Sequence, residues 1–166
     1  MCNEKILYSK FDHCYFIKMI GKLRFSNGMA LNNLLEDIFD DPETKDIFID
    51  MSETEYIDST ILGLLAKTAN FMIKKFDRKP TILSTTKNIN FLLDSIGLCD
   101  VFIVVKTLDY TPDSLNEIPD IKASELESAK TILDAHRQLI SLNEKNQEVF
   151  KDVVELLERE TEKKKQ

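Results

Sequence analysis

Short β-like runs alternate with helical patterns along this chain, and that alternation limits the folds available to it. Ile47-Phe48-Ile49 is an apolar run flanked by acidic residues, as expected of a buried central strand. Val101–Val105 is a second run, rich in β-branched residues. Because strand patterns alternate with helical patterns from residue 15 to 105, the sequence predicts an α/β domain with mostly parallel strands.

Two β-like stretches open the chain, Lys5–Ser9 and Tyr15–Ile20, and a polar segment separates them. They predict an N-terminal hairpin, which makes the sheet mixed. Gly21 is expected to end the second strand, and Ser26 or Asn27 to cap the helix that follows.

Later elements follow the same alternation. Ile61 begins a helical stripe that reaches Phe76, and Thr81-Ile82-Leu83 reads as another strand. A short helix over residues 89–96 is predicted to end at Gly97, a favourable C-cap residue. We therefore expect a sheet of four to five strands packed with helices.

Composition excludes several classes of function. The chain is 43% hydrophobic and 31% charged, with a formal charge of −7, so it can form a packed core and lacks the cations that nucleic-acid binding needs. No run of about 18 apolar residues predicts a membrane-spanning helix. The three cysteines, Cys2, Cys14 and Cys99, form no CxxC pair and are typical of buried or free thiols. We expect a cytoplasmic protein with no nucleic-acid or membrane partner.

The pattern changes at about Ala123, where strand signals end. Apolar residues then recur at spacings of three and four, interrupted by the polar sequence NEKNQ at 143–147. This predicts one long amphipathic helix or two helices folded back at that polar patch. The helical segment either packs on the domain or associates with a partner or a second copy. We divide the chain into a domain at 1–118 and a helical C-terminal extension at 119–166.

Few residues point to catalysis. His13 is assigned to the hairpin turn and His136 to a helix surface, and the four glycines form no phosphate-binding loop. Zinc-ligand spacings and a nucleophile elbow are also missing. We therefore predict that the protein is not an enzyme and that it uses no cofactor and no metal ion.

One acidic cluster is considered as an alternative. Asp50 ends the central strand, and Glu53, Glu55 and Asp58 follow closely. Such a group of carboxylates could make Asp50 a phosphoacceptor, as in receiver domains. A receiver also needs an acidic pair after its first strand, and Ile20-Gly21-Lys22 supplies none.

The segment YIDSTILG, residues 56–63, begins the helical stripe. Asp58 or Ser59 can accept a hydrogen bond from the free N–H groups of the first helical turn. The same place suits a phosphorylated serine, because a helix N-terminus favours added negative charge. Local pattern leaves both roles open.

Three segments together resemble the STAS domain of anti-sigma factor antagonists. DIFIDMSETEYIDSTILGLLAKT is similar to the family's buried strand, loop and Asp-Ser-Ser/Thr-Gly-Leu-Gly helix start. YFIKMIGKLRFSNG resembles its strand–Gly–x–Leu segment, and FLLDSIGLCDVFIVV its late helix–Gly–Leu–strand segment. The resemblance covers about residues 5–110 and implies a STAS-like fold.

The resemblance also implies a function. Family members are small cytoplasmic bacterial proteins that bind an anti-sigma factor, often a GHKL-type serine kinase, and so release the sigma factor. The kinase phosphorylates the serine after the motif's Asp, which is Ser59 here, and a PPM-type phosphatase restores it. The motif and partner surface would then include the five residues Asp58, Thr60, Ile61, Gly63 and Lys67. Ile61 stands where the family often has Gly and is expected to add an apolar contact.

Two questions stay open from sequence. The modified residue is Ser59 or the adjacent Thr60. The protein is a phosphorylation-controlled binding module, a STAS scaffold that forms a homodimer through its C-terminal helix, or a receiver-like domain.

Asn70 and Lys74 are further candidates for an exposed partner-binding face of the helix that carries Ser59.

Overall fold

The computed structural model of the protein describes residues 4–166, so Cys2 lies outside the described part. Within that range the predicted alternation of strands and helices is confirmed. A 3-10 turn over residues 98–100 precedes β6. In chain order the elements are β1 (Lys5–Phe11), β2 (Cys14–Leu23), α1 (Phe25–Asp40), β3 (Asp46–Asp50), β4 (Thr54–Ile57), α2 (Ser59–Phe76), β5 (Thr81–Leu83), α3 (Lys87–Ile96), β6 (Ile103–Val105), β7 (Asn116–Glu117), α4 (Glu125–Ile140) and α5 (Glu144–Lys164).

The sheet is mixed, with a parallel centre and an antiparallel edge. Its strand order is β6-β5-β3-β2-β1-β7, and β4 pairs with β2 outside this path. β2, β3, β5 and β6 run parallel, whereas β1 is antiparallel to β2 and β7 is antiparallel to β1. Ile17 pairs with Ile49 in the centre, and both side chains are buried. The predicted mixed α/β architecture is therefore confirmed.

The N-terminal hairpin turns at Asp12 and His13, which both have positive φ. Two such residues are typical of a tight hairpin turn whose twist matches that of the strands. The prediction that Gly21 ends the second strand is wrong, because β2 continues to Leu23. Gly21 has φ +86, and the register of β2 against β4 shifts between Gly21 and Lys22. The glycine therefore makes a β-bulge rather than a strand end.

The predicted cap of α1 also differs from the observed one. Arg24 occupies the N-cap position, and the Asn27 side chain accepts a hydrogen bond from the Arg24 backbone N–H. Ser26 lies inside the helix instead. Asn27 thus acts at the helix start, but from the third helical position.

Two short strands, β4 and β7, extend the sheet beyond the four or five strands that the sequence indicates. β4 runs beside the bulged end of β2, which delivers the chain to the start of α2. β7 pairs with β1 at the far edge, where Ile118 N–H donates to Ile6 O. β6 and β7 lie at opposite edges of the sheet, so the chain crosses the sheet between them. The C-terminal helices therefore begin near α1 and α2 rather than near α3.

The extension forms two helices, as one of the two sequence interpretations predicted. The chain reverses at residues 141–143, and the Asn143 side chain caps α5 by accepting from Asn146 N–H. Asn143 and Asn146 also donate to the Ile96 carbonyl at the end of α3. α4 packs along α2 and α5 packs along α4, so the extension lies on the domain. We refer to α4 and α5 as the C-terminal hairpin.

Gly97 ends α3 in the left-handed region, with φ +90. We expect Gly97→Ala to lower the free energy of unfolding by about 1–2 kcal/mol, because an L-side chain is strained there. The added methyl would also lie 2.5 Å from Asn143 Nδ2. Urea unfolding of the full chain measures the change.

Gly28→Ala is the matched control, because Gly28 lies inside α1 without a positive φ. There the gain in helix propensity offsets a 3.3 Å approach to the Thr60 methyl group. We expect a change within about 0.5 kcal/mol. Equal losses in the two variants would contradict the role of the Gly97 backbone.

Candidate functional site

Asp58 is the N-cap of α2, as the sequence predicted for Asp58 or Ser59. Its Oδ1 accepts from Ile61 N–H at 3.0 Å, and its Oδ2 accepts from Phe25 N–H at 2.6 Å. The second bond reaches the first residue of α1. One carboxylate therefore satisfies free donors at two helix N-termini, where the helix dipoles also favour negative charge.

Ser59 follows as the first residue of α2, and its side chain is half-buried. Ser59 Oγ lies 2.9 Å from Nε2 of His136, which belongs to α4. His136 Nδ1 lies 2.7 Å from the Ile132 carbonyl oxygen. Because a carbonyl can only accept, Nδ1 carries a proton, and the tautomer with its proton on Nδ1 alone leaves Nε2 as an acceptor for the Ser59 hydroxyl.

His136 was predicted on a helix surface, and that prediction is wrong. The side chain is 5% exposed, and its ring packs edge-on against Phe150 of α5. A signal for this position was present in the sequence. His136 follows Ile132 by four residues and Leu133 by three, so helical spacing puts it on the apolar side of α4. It is the site residue that sequence reasoning missed.

The residues after Ser59 turn inward. Thr60 is 3% exposed and Ile61 is fully buried in the core. Ile61 therefore does not form part of an exposed partner surface in this structure, contrary to expectation. Of the two adjacent hydroxyls, Ser59 is the more accessible one.

Gly63 lies at a close approach of α2 and α4. A Cβ atom at this position would lie 2.1 Å from the Ala135 carbonyl oxygen and 2.7 Å from the Ala135 methyl group. Ala135 is itself fully buried. Only a glycine here allows the backbones to pack at this separation.

Lys67 and Asn70 continue the same face of α2, and the side chains of both have polar partners on other helices. Lys67 Nζ lies 2.9 Å from Asn32 Oδ1 and 3.4 Å from Asp134 Oδ2, with its side chain 15% exposed. The Asn70 amide donates to Gln138 Oε1 at 2.7 Å. The predicted exposed face is therefore covered by α4 at these two positions, while Lys74, further along α2, is exposed.

The acidic loop after β3 has internal partners. Asp50 is 4% exposed and accepts from the Ser52 N–H at 2.9 Å and from the Ser52 hydroxyl at 2.6 Å. Lys18 forms ion pairs with Asp50 and Glu53. Residues 4–166 contain no group of three or more His, Cys, Asp or Glu side chains arranged to hold a metal ion.

The remaining histidine and cysteines lie away from Ser59. His13 occupies the hairpin turn, as predicted. Cys14 and Cys99 are free and partly buried. Burial raises the pKa of the Cys14 thiol to about 11, with the nearby Asp46 carboxylate adding to the shift. Cys14 is therefore a protonated, unreactive thiol at neutral pH.

Asp58→Ala removes both caps at once. We expect it to lower the free energy of unfolding by about 2 kcal/mol, because two backbone N–H groups lose their acceptor. Asp58→Asn keeps an oxygen for Ile61 N–H, so it should lose about half as much. Urea unfolding midpoints of the full chain test this order, and an Asp58→Ala protein as stable as the wild type would refute it.

Comparisons with known proteins bear on this site. The STAS domain profile matches residues 5–111, and no curated protein sequence matches the chain. None of the helices within residues 4–166 is both long and apolar enough to cross a bilayer.

Similar solved structures are anti-sigma factor antagonists. SpoIIAA in its unphosphorylated form is 10% identical, with a TM-score of 0.53 over 63% of this chain and 90% of its own. The Bacillus cell fate determinant SpoIIAA in its phosphorylated form is 12% identical, with a TM-score of 0.51 over 61% and 91%. An anti-sigma factor antagonist from Mycobacterium paratuberculosis is 20% identical, with a TM-score of 0.57 over 64% and 89%. These likenesses show a shared fold.

The profile match covers well over half of the chain and ends before the C-terminal hairpin begins. Strands β1 to β6 and the Asp58-Ser59 helix start lie inside the matched range, whereas β7 follows it. The chain belongs to the STAS domain family.

Proposed function

We propose that this protein is a partner-switching regulator of the anti-sigma factor antagonist kind. It binds an anti-sigma factor or a GHKL-type serine kinase through the Ser59 end of α2 and releases it when Ser59 is phosphorylated. The observation that carries the proposal is the position of the half-buried Ser59 hydroxyl, in the first turn of α2 directly after the Asp58 cap. Membership of the STAS family supports the same role.

Ser59 is the modified residue in this proposal. Its side chain is half-buried, whereas Thr60 is 3% exposed and points into the packed interface between α1 and α2. The kinase transfers the γ-phosphoryl group of ATP to Ser59 Oγ, the bond to the β-phosphate breaks, and the hydroxyl proton is lost. A PPM-type phosphatase hydrolyses the phosphoserine and restores the hydroxyl.

The effect of the phosphate follows from its position. It adds about −1.5 to −2 charges beside the Asp58 carboxylate. The helix N-terminus stabilises that charge, so α2 stays folded. A partner that packs on Ser59 must instead desolvate the phosphate or lose its contact, which weakens the complex. Each loss of about 1.4 kcal/mol lowers the affinity tenfold.

Similar structures are consistent with such a switch. SpoIIAA is an anti-sigma factor antagonist and is known in an unphosphorylated and a phosphorylated form. In this chain the switch needs no catalytic group of its own, because the kinase and the phosphatase supply the chemistry. We therefore propose that the protein is a binding module rather than an enzyme, acting in the cytoplasm.

Ser59→Asp is expected to weaken partner binding at least tenfold, because a carboxylate mimics part of the phosphate charge. Full-length wild type, Ser59→Ala and Ser59→Asp proteins would capture partners from a lysate of the source cells. The captured protein, identified by mass spectrometry, is then purified and titrated by calorimetry. Ser114→Asp, an equal charge change in an exposed loop, is the control.

The titration has two informative outcomes. Loss of affinity with Ser59→Asp alone supports the switch, provided that Ser59→Ala and Ser114→Asp bind as the wild type does. Equal affinities for all four proteins would refute it. Incubation of the wild type with the captured kinase and ATP should place the phosphate on Ser59 and not on Thr60.

A homodimeric scaffold is the second candidate, and an apolar stripe on α5 favours it. Val149, Val153 and Leu156 recur at spacings of four and three and are 59%, 40% and 54% exposed. They lie about a quarter turn around α5 from Phe150, which contacts His136 of α4, and from the buried Val154. Such a stripe is typical of a helix that packs against a second copy.

If the scaffold function holds, the wild type is a dimer and Val153→Glu is a monomer in light scattering, because a charge would be buried in the interface. Gln147→Glu adds the same charge at an exposed position of α5 and should leave the dimer intact. A monomeric wild type at about 100 µM, well above the µM dissociation constants of transient complexes, would exclude this scaffold function.

A further inference from the structure

The C-terminal hairpin covers the face of α2 that carries Ser59. Four residues of α2 lie against α4. They are Ser59 with His136, Gly63 with Ala135, Lys67 with Asp134, and Asn70 with Gln138. The contacts follow α2 over three turns, from its first residue to its twelfth. The hairpin lies outside the matched STAS range.

Two occupants cannot share this face. At Gly63 the α4 backbone is so close that even a methyl group would overlap the Ala135 carbonyl. At Ser59 the imidazole of His136 lies within hydrogen-bond distance of Oγ, the atom that would carry the phosphoryl group. A phosphate oxygen needs its own van der Waals space, so phosphorylation and the closed hairpin exclude each other at this point.

We propose that the C-terminal hairpin is an intramolecular occupant of the Ser59 surface and must detach before a kinase or a binding partner can reach it. The inference rests on the proposed function for the identity of the incoming protein. Detachment itself is a property of this chain alone. The protein is therefore autoinhibited, and only its open form is competent for binding and for phosphorylation.

The construction of the hairpin suits detachment as one unit. α4 and α5 hold each other through the His136–Phe150 ring contact and a 3.0 Å pair between Arg137 and Glu158. The segment that joins the hairpin to β7 is exposed at residues 119–122. Opening therefore breaks the α2–α4 contacts and the asparagine bonds to Ile96, while the α4–α5 contacts persist.

The α2–α4 contacts are also partly polar, which lowers the free energy needed to expose them to water. Ser59, Lys67 and Asn70 all find water as an alternative partner once α4 leaves. The net contribution of such hydrogen bonds to stability is small, because water replaces the lost partner. Ala135 and Leu139 of α4 are buried in the apolar core, so opening also exposes these two side chains.

The hairpin also indicates the chemistry of the protein that replaces it. The incoming segment needs a small residue opposite Gly63 and an acceptor for the Ser59 hydroxyl. A carboxylate in the place of Asp134 would also pair with Lys67, which keeps Glu36 and Asn32 of α1 as partners when α4 leaves. We infer a helical segment in which an acidic residue directly precedes a small one, the arrangement of Asp134-Ala135 in α4.

Variants on α4 test the inference without changing the α2 surface. Ala135→Leu places a large side chain against Gly63 and wedges the helices apart, while leucine keeps a high helix propensity. Lys130→Leu introduces the same residue at an exposed position of α4 and is the control. Asp134→Lys is the second opening variant. Its side chain is 47% exposed, so folding tolerates the change, and it places a like charge beside Lys67.

The first measurement is amide hydrogen exchange of the full chain without any partner. We expect residues 125–164 of the wild type to exchange through an opening that leaves β2 and β3 protected. Ala135→Leu and Asp134→Lys should raise exchange across 125–164 at least tenfold with β2 and β3 unchanged, and Lys130→Leu should not. If the hairpin exchanges only when β2 and β3 also exchange, in the wild type and in both variants, the inference is overturned.

The second measurement is the affinity of the captured partner for the same proteins. Ala135→Leu and Asp134→Lys should bind at least tenfold more tightly than the wild type. If hydrogen exchange shows an open hairpin in these variants but their affinity for the partner does not rise, the inference is overturned. A gain in affinity together with no effect of Ser59→Asp would instead refute the phosphorylation switch and leave the autoinhibition standing.

Discussion

The Asp58 carboxylate is the interaction on which the geometry of the Ser59 surface depends. Its two oxygens accept from backbone N–H groups at the starts of α1 and α2. The Asp58 N–H in turn donates to the Leu23 carbonyl at the end of β2. One residue thus ties a strand end to two helix starts. Because Ser59 follows it directly, the position of the Ser59 backbone is fixed by these contacts rather than by a flexible loop.

Much of this arrangement could be predicted from the sequence because it is local. The capping role of Asp58 depends on residues within three positions of it. The buried Ile47-Phe48-Ile49 run and the Gly97 helix end are equally local signals, and both are confirmed. β4 and β7 escaped prediction for the opposite reason. β4 has four residues and β7 has two, and both are too short for an alternating pattern. β4 pairs with β2 because of the bulge at Gly21. β7 pairs with β1 because the chain crosses the sheet after β6.

The position of the hairpin could not be read from the sequence. Helical spacing shows which side of α4 is apolar, but it does not show which surface that side meets. A close contact uses Gly63 and Ala135, two small residues that contribute little to a hydrophobic pattern. Lys67 and Asn70 therefore looked like an exposed polar face, although α4 provides polar partners for both. A covered polar surface and a solvated one have the same sequence pattern.

Autoinhibition and phosphorylation both act at the Ser59 hydroxyl. The closed form blocks binding by occupying the surface, and phosphoserine blocks it by charge, so only the open, unphosphorylated form binds. The apparent dissociation constant equals the intrinsic one divided by the open fraction, so an open fraction of about 1% weakens binding about 100-fold. The kinase draws on that same open fraction. Anything that stabilises the closed hairpin therefore lowers partner binding and Ser59 phosphorylation by the same factor, and the ratio between bound and phosphorylated protein is set by the partner and the kinase alone.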